Sequence, residues 1–266
     1  MGKRYGQHFL YDAGILEKIV DVSGVTADDT VVEVGPGHGS LTRILLERAK
    51  RVLAVEIDPL LFARLKENFA GYLTLTLVNA DALEFDFASL EPFKIVSNIP
   101  YGITTPLIFR LFEKCRTLAS MTLTVQKEVA LRIVAPPGGK DYGALTVAVR
   151  YYSIPRLEFA IPAGAFRPPP KVDSRVVRFD VLKTPMVRVK DERLFFRLVR
   201  AVFSKRRKTL LNGLKGFSPE PAQALRAADI DPQRRAETLD LVEFARLADA
   251  VYDLILYNTG GKVNLS

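Results

Sequence analysis

The sequence lacks the features that mark membrane-spanning, secreted and zinc-binding proteins. No apolar run approaches the roughly 20 residues that a helix needs to cross a bilayer, and the first residues contain no apolar stretch of the kind that secretory signals require. The only cysteine, Cys115, has no partner for an internal disulfide, which fits a reducing compartment. Two histidines and one cysteine are a poor donor set for structural zinc. We therefore expect a cytoplasmic protein that uses neither membrane nor metal.

The chain otherwise has the composition of a folded globular protein. Its 266 residues are 48% hydrophobic and 26% charged, so burial of apolar surface can offset the entropy lost on ordering the chain. Charge is uneven, because residues 183–266 carry 16 basic and 10 acidic residues, most of the formal net charge of +8. Residues 193–208 contain seven basic residues and no acid. This run favours a polyanion such as nucleic acid, although a charge run taken alone is more often a solvated helix face.

Residues 1–182 alternate between strand-like and helix-like segments. Such alternation implies right-handed βαβ crossovers and a mainly parallel sheet covered on both faces. Asp58 is expected to cap the helix that starts at Pro59, and Thr105 to cap a later one. The predicted strands are 30–34, 51–56, 73–78, 94–97, 121–125, 144–149 and 176–181, and the predicted helices between them include 41–48 and 59–69.

The last third of the chain has helical patterns only. Residues 183–185 resemble a linker, and proline residues separate the segments that follow. The predicted helices are 192–203, 205–214, 221–228 and 241–256. We therefore expect two domains, an α/β domain over residues 1–182 and a small, basic, all-α domain over residues 183–266.

A glycine-rich segment joins the first predicted strand of the alternating pattern to its helix. This glycine turn (residues 33–39) lets the backbone approach a ligand closely and places N–H groups at a helix N-terminus. Glu56 ends the next strand, 21 positions after Gly35, where a carboxylate can accept hydrogen bonds from both ribose hydroxyls of a nucleoside. Asp81 follows the third strand and can accept from an adenine amino group, although alone it is more often a turn acid. The pattern predicts a nucleoside ligand without distinguishing NAD from S-adenosylmethionine.

A second segment of functional interest follows the fourth predicted strand. The Asn98 segment (residues 98–101) presents an amide oxygen, a carbonyl and an aromatic ring within four residues. Acceptors on both hydrogens of an exocyclic amine would free its lone pair for attack on an electrophile, and Asn98 and Pro100 are suited to be those acceptors. Tyr101 would stack on the base, and Phe166, beside a run of prolines, would stack on its other face. An ordinary turn at a strand end is the alternative explanation.

Taken together, these residues resemble the KsgA-type ribosomal RNA adenine dimethyltransferases over nearly the whole chain. The resemblance implies a Rossmann-like class I methyltransferase sheet with a small all-α C-terminal domain. It also implies that S-adenosyl-L-methionine supplies two methyl groups to each of two adjacent adenines, in the 3′-terminal hairpin loop of small-subunit ribosomal RNA. The segments that carry it are 6–10, 33–37, 56–58, 81–82, 98–101, 105–107, 125–129, 142–143, 166–174, 203–210 and 235–237.

The resemblance also assigns roles to single residues. The implied cofactor contacts are His8 and Leu10 as a cover, Gly35 at the methionine part, Glu56 at the ribose, Asp81 at the adenine and Asn98 beside the methyl group. The chain departs from the family pattern at three of its positions, since His8, Ile99 and Gly102 stand where members usually have Asn, Leu and Asn. The RNA contacts predicted from the basic run are Arg200, Lys205, Arg206, Arg207 and Lys208. The expected partner is small-subunit ribosomal RNA in a pre-30S particle, bound by a monomer.

Three alternatives stay open at this point. Erythromycin-resistance methyltransferases, which act on large-subunit (23S) ribosomal RNA, share the Asn98 segment, although the proline loop and the C-terminal segments argue against them. An NAD-dependent oxidoreductase would share the glycine turn and Glu56, but would not explain the Asn98 segment or the basic domain. A ribosome-assembly factor whose binding matters more than its chemistry would explain the basic domain.

Overall fold

The computed structural model describes residues 8–258, and Gly6 and Gln7 of the N-terminal motif lie outside that range. The chain divides into two compact units. The first comprises the chain up to Leu131 together with Ile154–Leu182, and the second comprises Arg132–Ser153 together with the chain from Lys183 onward. The second unit therefore includes residues 132–153, which the sequence pattern assigned to the first domain.

The first unit is built on a mainly parallel sheet. The strands of the unit, in chain order, are β1 (Phe9–Leu10), β2 (Thr30–Val34), β3 (Arg51–Glu56), β4 (Leu75–Asn79), β5 (Phe93–Asn98), β6 (Leu118–Gln126), β7 (Ser153–Ile161), β8 (Phe166–Arg167) and β9 (Ser174–Val181). Its helices are α1 (Ala13–Ser23), α2 (Ser40–Arg48), α3 (Pro59–Asn68) and α4 (Thr104–Lys114), and α5 (Lys127–Val134) crosses into the second unit. The second unit contains α6 (Ala144–Tyr152), α7 (Glu192–Ser204), α8 (Leu210–Gly213), α9 (Pro221–Ala227) and α10 (Leu241–Asn258).

The order of the strands creates a crevice at one edge of the sheet. Seven strands lie in the order β4-β3-β2-β5-β6-β9-β7, with β4 to β6 parallel and β9 antiparallel to β6. The chain runs outward from β2 to β4 and then returns to the other side of β2 with β5. Ligands bind outside the carboxyl ends of the strands where the order reverses in this way, here between β2 and β5. The predicted α/β class is confirmed.

Apolar strands and helix faces hold this edge in place. Val31 and Val32 of β2 are fully buried, as expected of a parallel strand covered on both faces. Ile19 of α1 and Leu45 of α2 pack into the same core. Where β2 and β5 separate, the Ser97 hydroxyl donates to the carbonyl oxygen of Val34 at 2.5 Å and so joins the two strand ends.

Three local predictions were wrong. The 144–149 segment belongs to helix α6, because a largely buried helix gives the same short, mostly apolar run as a buried strand. The helix predicted over 205–214 is shortened to α8, since the chain forms a turn at 205–208. Helix α4 begins at Thr104, so Thr105 lies inside it, while the Asp58 cap of α3 is confirmed by bonds from the Leu60 and Leu61 amides.

We expect Gly39→Ala to lower the free energy of unfolding by roughly 1–4 kcal/mol. Gly39 has φ +82°, and an added Cβ would lie 2.5 Å from Cε2 of Phe69. Gly71→Ala is the control, because no atom lies within 4 Å of its added Cβ. Urea unfolding of both variants measures the difference, and equal stabilities would contradict this account of the turn.

Candidate active site

Two adjoining pockets lie at the carboxyl ends of the central strands. The first spans about 590 Å³, its opening to solvent included, and is lined by residues 8–10, by most of the glycine turn and by the Asn98 segment. The second spans about 490 Å³, measured in the same way, and is lined by the ends of β2 and β3 and by residues 80–82. Gly35 and Pro100 belong to both linings. The sheet therefore brings the two segments of interest, 60 residues apart in sequence, to one site.

Two glycines of the turn lie where a side chain of their own would collide with neighbouring rings. Gly35 and Gly37 have φ +68° and +60°, which favours glycine. A Cβ on Gly35 would lie 3.2 Å from Cδ of Pro100, and one on Gly37 would lie 2.7 Å from the Phe9 ring. Glycine at these two positions therefore lets the Pro100 and Phe9 rings approach the backbone of the turn more closely than any other residue would.

Glu56 provides a buried carboxylate in the second pocket. It is 1% exposed, and burial is the main cause that raises its pKa. Its Oε2 accepts from the Gly37 amide at 3.1 Å and its Oε1 from the Asp58 amide at 2.9 Å. Asp81 lines the same pocket, and its Oδ1 accepts from the Leu83 amide at 2.8 Å. These bonds hold both carboxylates in place at the wall of one cavity.

The Asn98 segment presents its polar groups to the first pocket. Nδ2 of Asn98 donates to the His8 carbonyl at 3.0 Å, which orients the amide and leaves its Oδ1 to accept from a ligand. The Pro100 carbonyl accepts from the Ile103 amide at 3.1 Å and keeps a second lone pair. The Tyr101 hydroxyl lies 2.6 Å from Oγ of Ser174, which anchors the ring.

The N-terminal residues cover this pocket. The His8 ring stacks on Tyr101 with centroids 5.5 Å apart and an interplanar angle of 29°. Its Nδ1 lies 2.7 Å from the Pro168 carbonyl, so Nδ1 is the donor. Leu10 is 4% exposed and also lines the pocket.

Phe166 is not brought to the pocket. It is 1% exposed and packs in the core with Leu10, Leu16 and Ile161. The strand pair β1–β8 sets Leu10 directly opposite Phe166. Its ring is therefore not available to a base in this structure, and the stacking role expected for it stays a prediction.

The comparisons with known proteins decide between the candidate nucleoside-binding families. Residues 1–253 match the family model described as "Ribosomal RNA adenine dimethylase". The chain belongs to this family. Such an enzyme is a methyltransferase, and its methyl donor is S-adenosyl-L-methionine. The glycine backbone, the buried Glu56 and the open acceptor of Asn98 fit that cofactor.

Relatives of this dimethylase extend over nearly its whole length. "Ribosomal RNA small subunit methyltransferase A" of Clostridium botulinum (strain Langeland) is 46% identical over 95% of this chain and 94% of that protein. The protein of the same name from Caldanaerobacter subterraneus is 45% identical over 95% of this chain and 98% of its own length.

Solved structures with the same fold include two that are similar over more than nine-tenths of this chain. A dimethyladenosine transferase from Plasmodium falciparum has a TM-score of 0.79 and 29% identity, covering 96% of this chain and 98% of that one. The 23S rRNA methyltransferase ErmE has a TM-score of 0.70 and 28% identity, covering 92% and 99%.

Several residues that line the dimethylase pocket were not among the predicted site residues, and three of them have aromatic or acidic side chains. Phe9, Glu33 and His38 line the first pocket, and the rings of Phe9 and His38 lie 4.4 Å apart. Glu33 is 2% exposed, and its Oε2 accepts from the Thr42 hydroxyl at 2.6 Å. Burial, with the nearby Glu56 charge, raises the pKa of Glu33 to about 8. The sequence feature that could have identified Glu33 is the presence of an acidic residue within the otherwise apolar strand β2.

The basic run of the dimethylase contains residues with two different roles. Nζ of Lys205 donates to the carbonyls of Gly213 and Lys215 at 3.2 and 3.1 Å. Nη2 of Arg206 donates to the Lys140 carbonyl at 2.6 Å. These two side chains therefore hold the turn after α7 in place.

The remaining predicted RNA-binding residues lie exposed on the same unit. They are Arg200 on α7, Arg207 and Lys208. The last two line an open groove of about 1290 Å³ together with their neighbours in the run. Within residues 8–258, no helix is long and apolar enough to span a membrane, and no group of three His, Cys, Asp or Glu side chains is placed to hold a metal ion.

We expect Glu33→Gln to become increasingly more stable than the wild type as the pH rises. The folded pKa of about 8 lies above the ordinary value of 4.5, so ionisation of Glu33 opposes folding as pH rises between these values. Glutamine keeps the acceptor for Thr42 and has no charge to bury. The gain is at most a few kcal/mol at pH 8.5 and small at pH 5. Urea unfolding at both values, with the exposed Glu47→Gln as control, measures it, and a constant difference would contradict a buried neutral Glu33.

Proposed function

We propose that this dimethylase places two methyl groups on N6 of each of two adjacent adenines in the 3′-terminal hairpin loop of small-subunit ribosomal RNA. It acts in the cytoplasm, as a monomer, on a pre-30S particle. The single observation that carries the proposal is the position of the Asn98 segment, which lines the same pocket as the glycine turn. Curated relatives at 45–46% identity, each named for the small subunit, support the choice of RNA.

The two pockets divide the cofactor between them. Glu56 receives the ribose hydroxyls and Asp81 the adenine in the second pocket, and the Gly35 backbone lies against the methionine part. His8 and Leu10 cover the methionine part from the N-terminal side. When bound, S-adenosyl-L-methionine supplies an electrophilic methyl group on its sulfonium. The closeness of Gly35 to the Pro100 ring supports this arrangement, because it sets the methionine part beside the Asn98 segment.

The Asn98 segment orients the target amine. Oδ1 of Asn98 accepts one N6 hydrogen, and the second lone pair of the Pro100 carbonyl accepts the other, so that the nitrogen lone pair turns toward the methyl group. N6 would form a bond to the methyl carbon as the bond between that carbon and the sulfonium sulfur breaks, and the sulfur would leave as a neutral thioether. The four-bonded, positively charged N6 would then lose a proton to water, because its N–H group is strongly acidic. Catalysis is mainly alignment, since holding the reacting atoms close and in line removes much of the barrier.

Base stacking requires a rearrangement near the N-terminus. The target adenine stacks on Tyr101 at the face that His8 covers, so the His8 ring moves aside when the base enters. Stacking by Phe166 on the other face requires the short β1–β8 pair to open, because the ring is buried. Both movements belong to the proposal.

We expect Asn98→Ala to lower kcat for methyl transfer by at least about 100-fold, comparable to removal of one well-placed polar group in other enzymes. The loss follows from the missing acceptor for N6, so affinity for the cofactor should change far less. Transfer of labelled methyl from S-adenosyl-L-methionine to unmethylated small subunits, followed by nucleoside analysis, measures it. Asn68→Ala, on the exposed end of α3, is the control.

The same assay, run in parallel on small-subunit and large-subunit RNA with the methylated positions mapped by primer extension, separates this proposal from its alternatives. Dimethyladenosine in small-subunit RNA at two adjacent positions supports it, and labelling of large-subunit RNA instead would support the erythromycin-resistance activity. A near-wild-type rate for Asn98→Ala would refute the role of the segment. An inactive variant that still restores subunit maturation would add an assembly role.

We expect Arg207→Gln with Lys208→Gln to reduce the salt dependence of RNA binding. Each lost phosphate contact lowers the slope of log affinity against log salt by about 0.7–0.9, so two lost contacts lower it by about 1.5. Lys205→Gln with Arg206→Gln should instead lower stability, since these side chains bond to backbone carbonyls. Filter binding over a salt series and thermal unfolding measure the two effects. The control is Lys183→Gln with Arg226→Gln, which removes the same number of positive charges elsewhere. An equal fall in the slope of log affinity against log salt for this pair would contradict a direct phosphate contact of Arg207 and Lys208.

A further inference from the structure

An open groove lies next to the first pocket and has no occupant in the proposed function. It encloses about 1030 Å³ and is lined by Tyr11, Asp12, Gly164, Ala165 and Arg167. Tyr11 follows β1 directly and is 48% exposed. The groove therefore offers an aromatic ring and a guanidinium group to a ligand from solvent.

The groove continues the surface of the catalytic pocket. The Tyr11 ring centroid lies 6.4 Å from that of Phe9 and 6.1 Å from that of His38. Phe9 and His38 both line the first pocket. A cluster of three rings, with Phe9 and His38 also 4.4 Å apart, thus joins the lining of the first pocket to the groove.

Strand geometry directs Arg167 into this groove. Side chains alternate across a strand, and Phe166 of β8 points into the core, so Arg167 points to solvent. Within residues 8–258, Arg167 makes no ion pair with another side chain. The one acid of the groove, Asp12, accepts at Oδ1 from the Ile15 amide and caps α1. The Asp12 carboxylate is thus held at the start of α1, and Arg167 is the cationic group that the groove offers to an anion.

We propose that this groove binds the nucleotide next to the target adenine, with its base stacked on Tyr11 and its phosphate paired with Arg167. The inference rests on the proposed function and adds a second subsite to it. Any base has a face that stacks on an aromatic ring, and a guanidinium pairs well with phosphate oxygens. While one adenine of the pair is in the catalytic pocket, its neighbour is held one step away. This subsite selects for a splayed single-stranded segment and not for a particular base.

Binding of a short single-stranded RNA with the adjacent adenines tests the subsite, with the cofactor product present in excess. Tyr11→Ala should weaken Kd roughly 5- to 150-fold, the range for loss of one stacked base, while Tyr11→Phe keeps most of the affinity. With an RNA that has an abasic site in place of the neighbouring nucleotide, Tyr11→Ala and the wild type should bind equally. Arg167→Ala should lower the salt slope by about 0.7. Tyr72→Ala and Arg64→Ala, which remove exposed residues of the same types, are the controls.

The abasic RNA separates a subsite from a structural role of Tyr11. A misfolded variant would lose affinity by the same factor for the intact and for the abasic RNA. The inference is overturned by that result, and equally by unchanged affinity of Tyr11→Ala for the intact RNA. Methyl transfer by the wild type is measured in parallel. If it modifies adjacent adenines while Tyr11→Ala binds the intact RNA normally, the subsite is wrong and the proposed function stands. If the wild type modifies no adenine, both fail.

Discussion

The close approach of two backbone segments controls the geometry of the active site. The glycine turn and the Asn98 segment meet where Gly35 lies against the Pro100 ring, with no space for a side chain between them. The Ser97 hydroxyl joins the ends of β2 and β5 just below that point. Because the strand order reverses there, both segments face one crevice rather than opposite edges of the sheet. A Cβ at this position would press on the Pro100 ring and would be strained by the positive φ, so glycine allows the two segments to approach this closely.

The N-terminal residues are tied to the same site by hydrogen bonds rather than by packing alone. The His8 carbonyl accepts from Nδ2 of Asn98, and the His8 ring bonds to the Pro168 carbonyl. The orientation of the Asn98 amide therefore depends on a segment 90 residues away in sequence. A displacement of that segment would therefore also change the orientation of the Asn98 amide.

Local sequence signals predicted elements correctly where one strong constraint acted. Pro59 after Asp58 gave a helix start that the structure confirms, and β2 was predicted at its observed bounds. These signals gave the wrong element where a helix and a strand, or a helix and a turn, share one sequence pattern. The apolar run at 144–149 suits a buried helix as well as a strand, and only packing within the second unit decides for the helix. The basic run at 205–208 has helical composition, yet Lys205 ends α7 and bonds to carbonyls beyond it.

The sequence by itself determined the class of fold and the family, because short motifs of glycine, acid and amide groups have few other physical uses in combination. Only the tertiary structure decided which side chains face the pockets. It placed Phe166 in the core and Arg167 in solvent, added Glu33 and Phe9 to the pocket, and separated Lys205 and Arg206 from Arg207 and Lys208. The reason is that the direction of a side chain follows from strand register and long-range backbone contacts, which residue type and spacing do not encode.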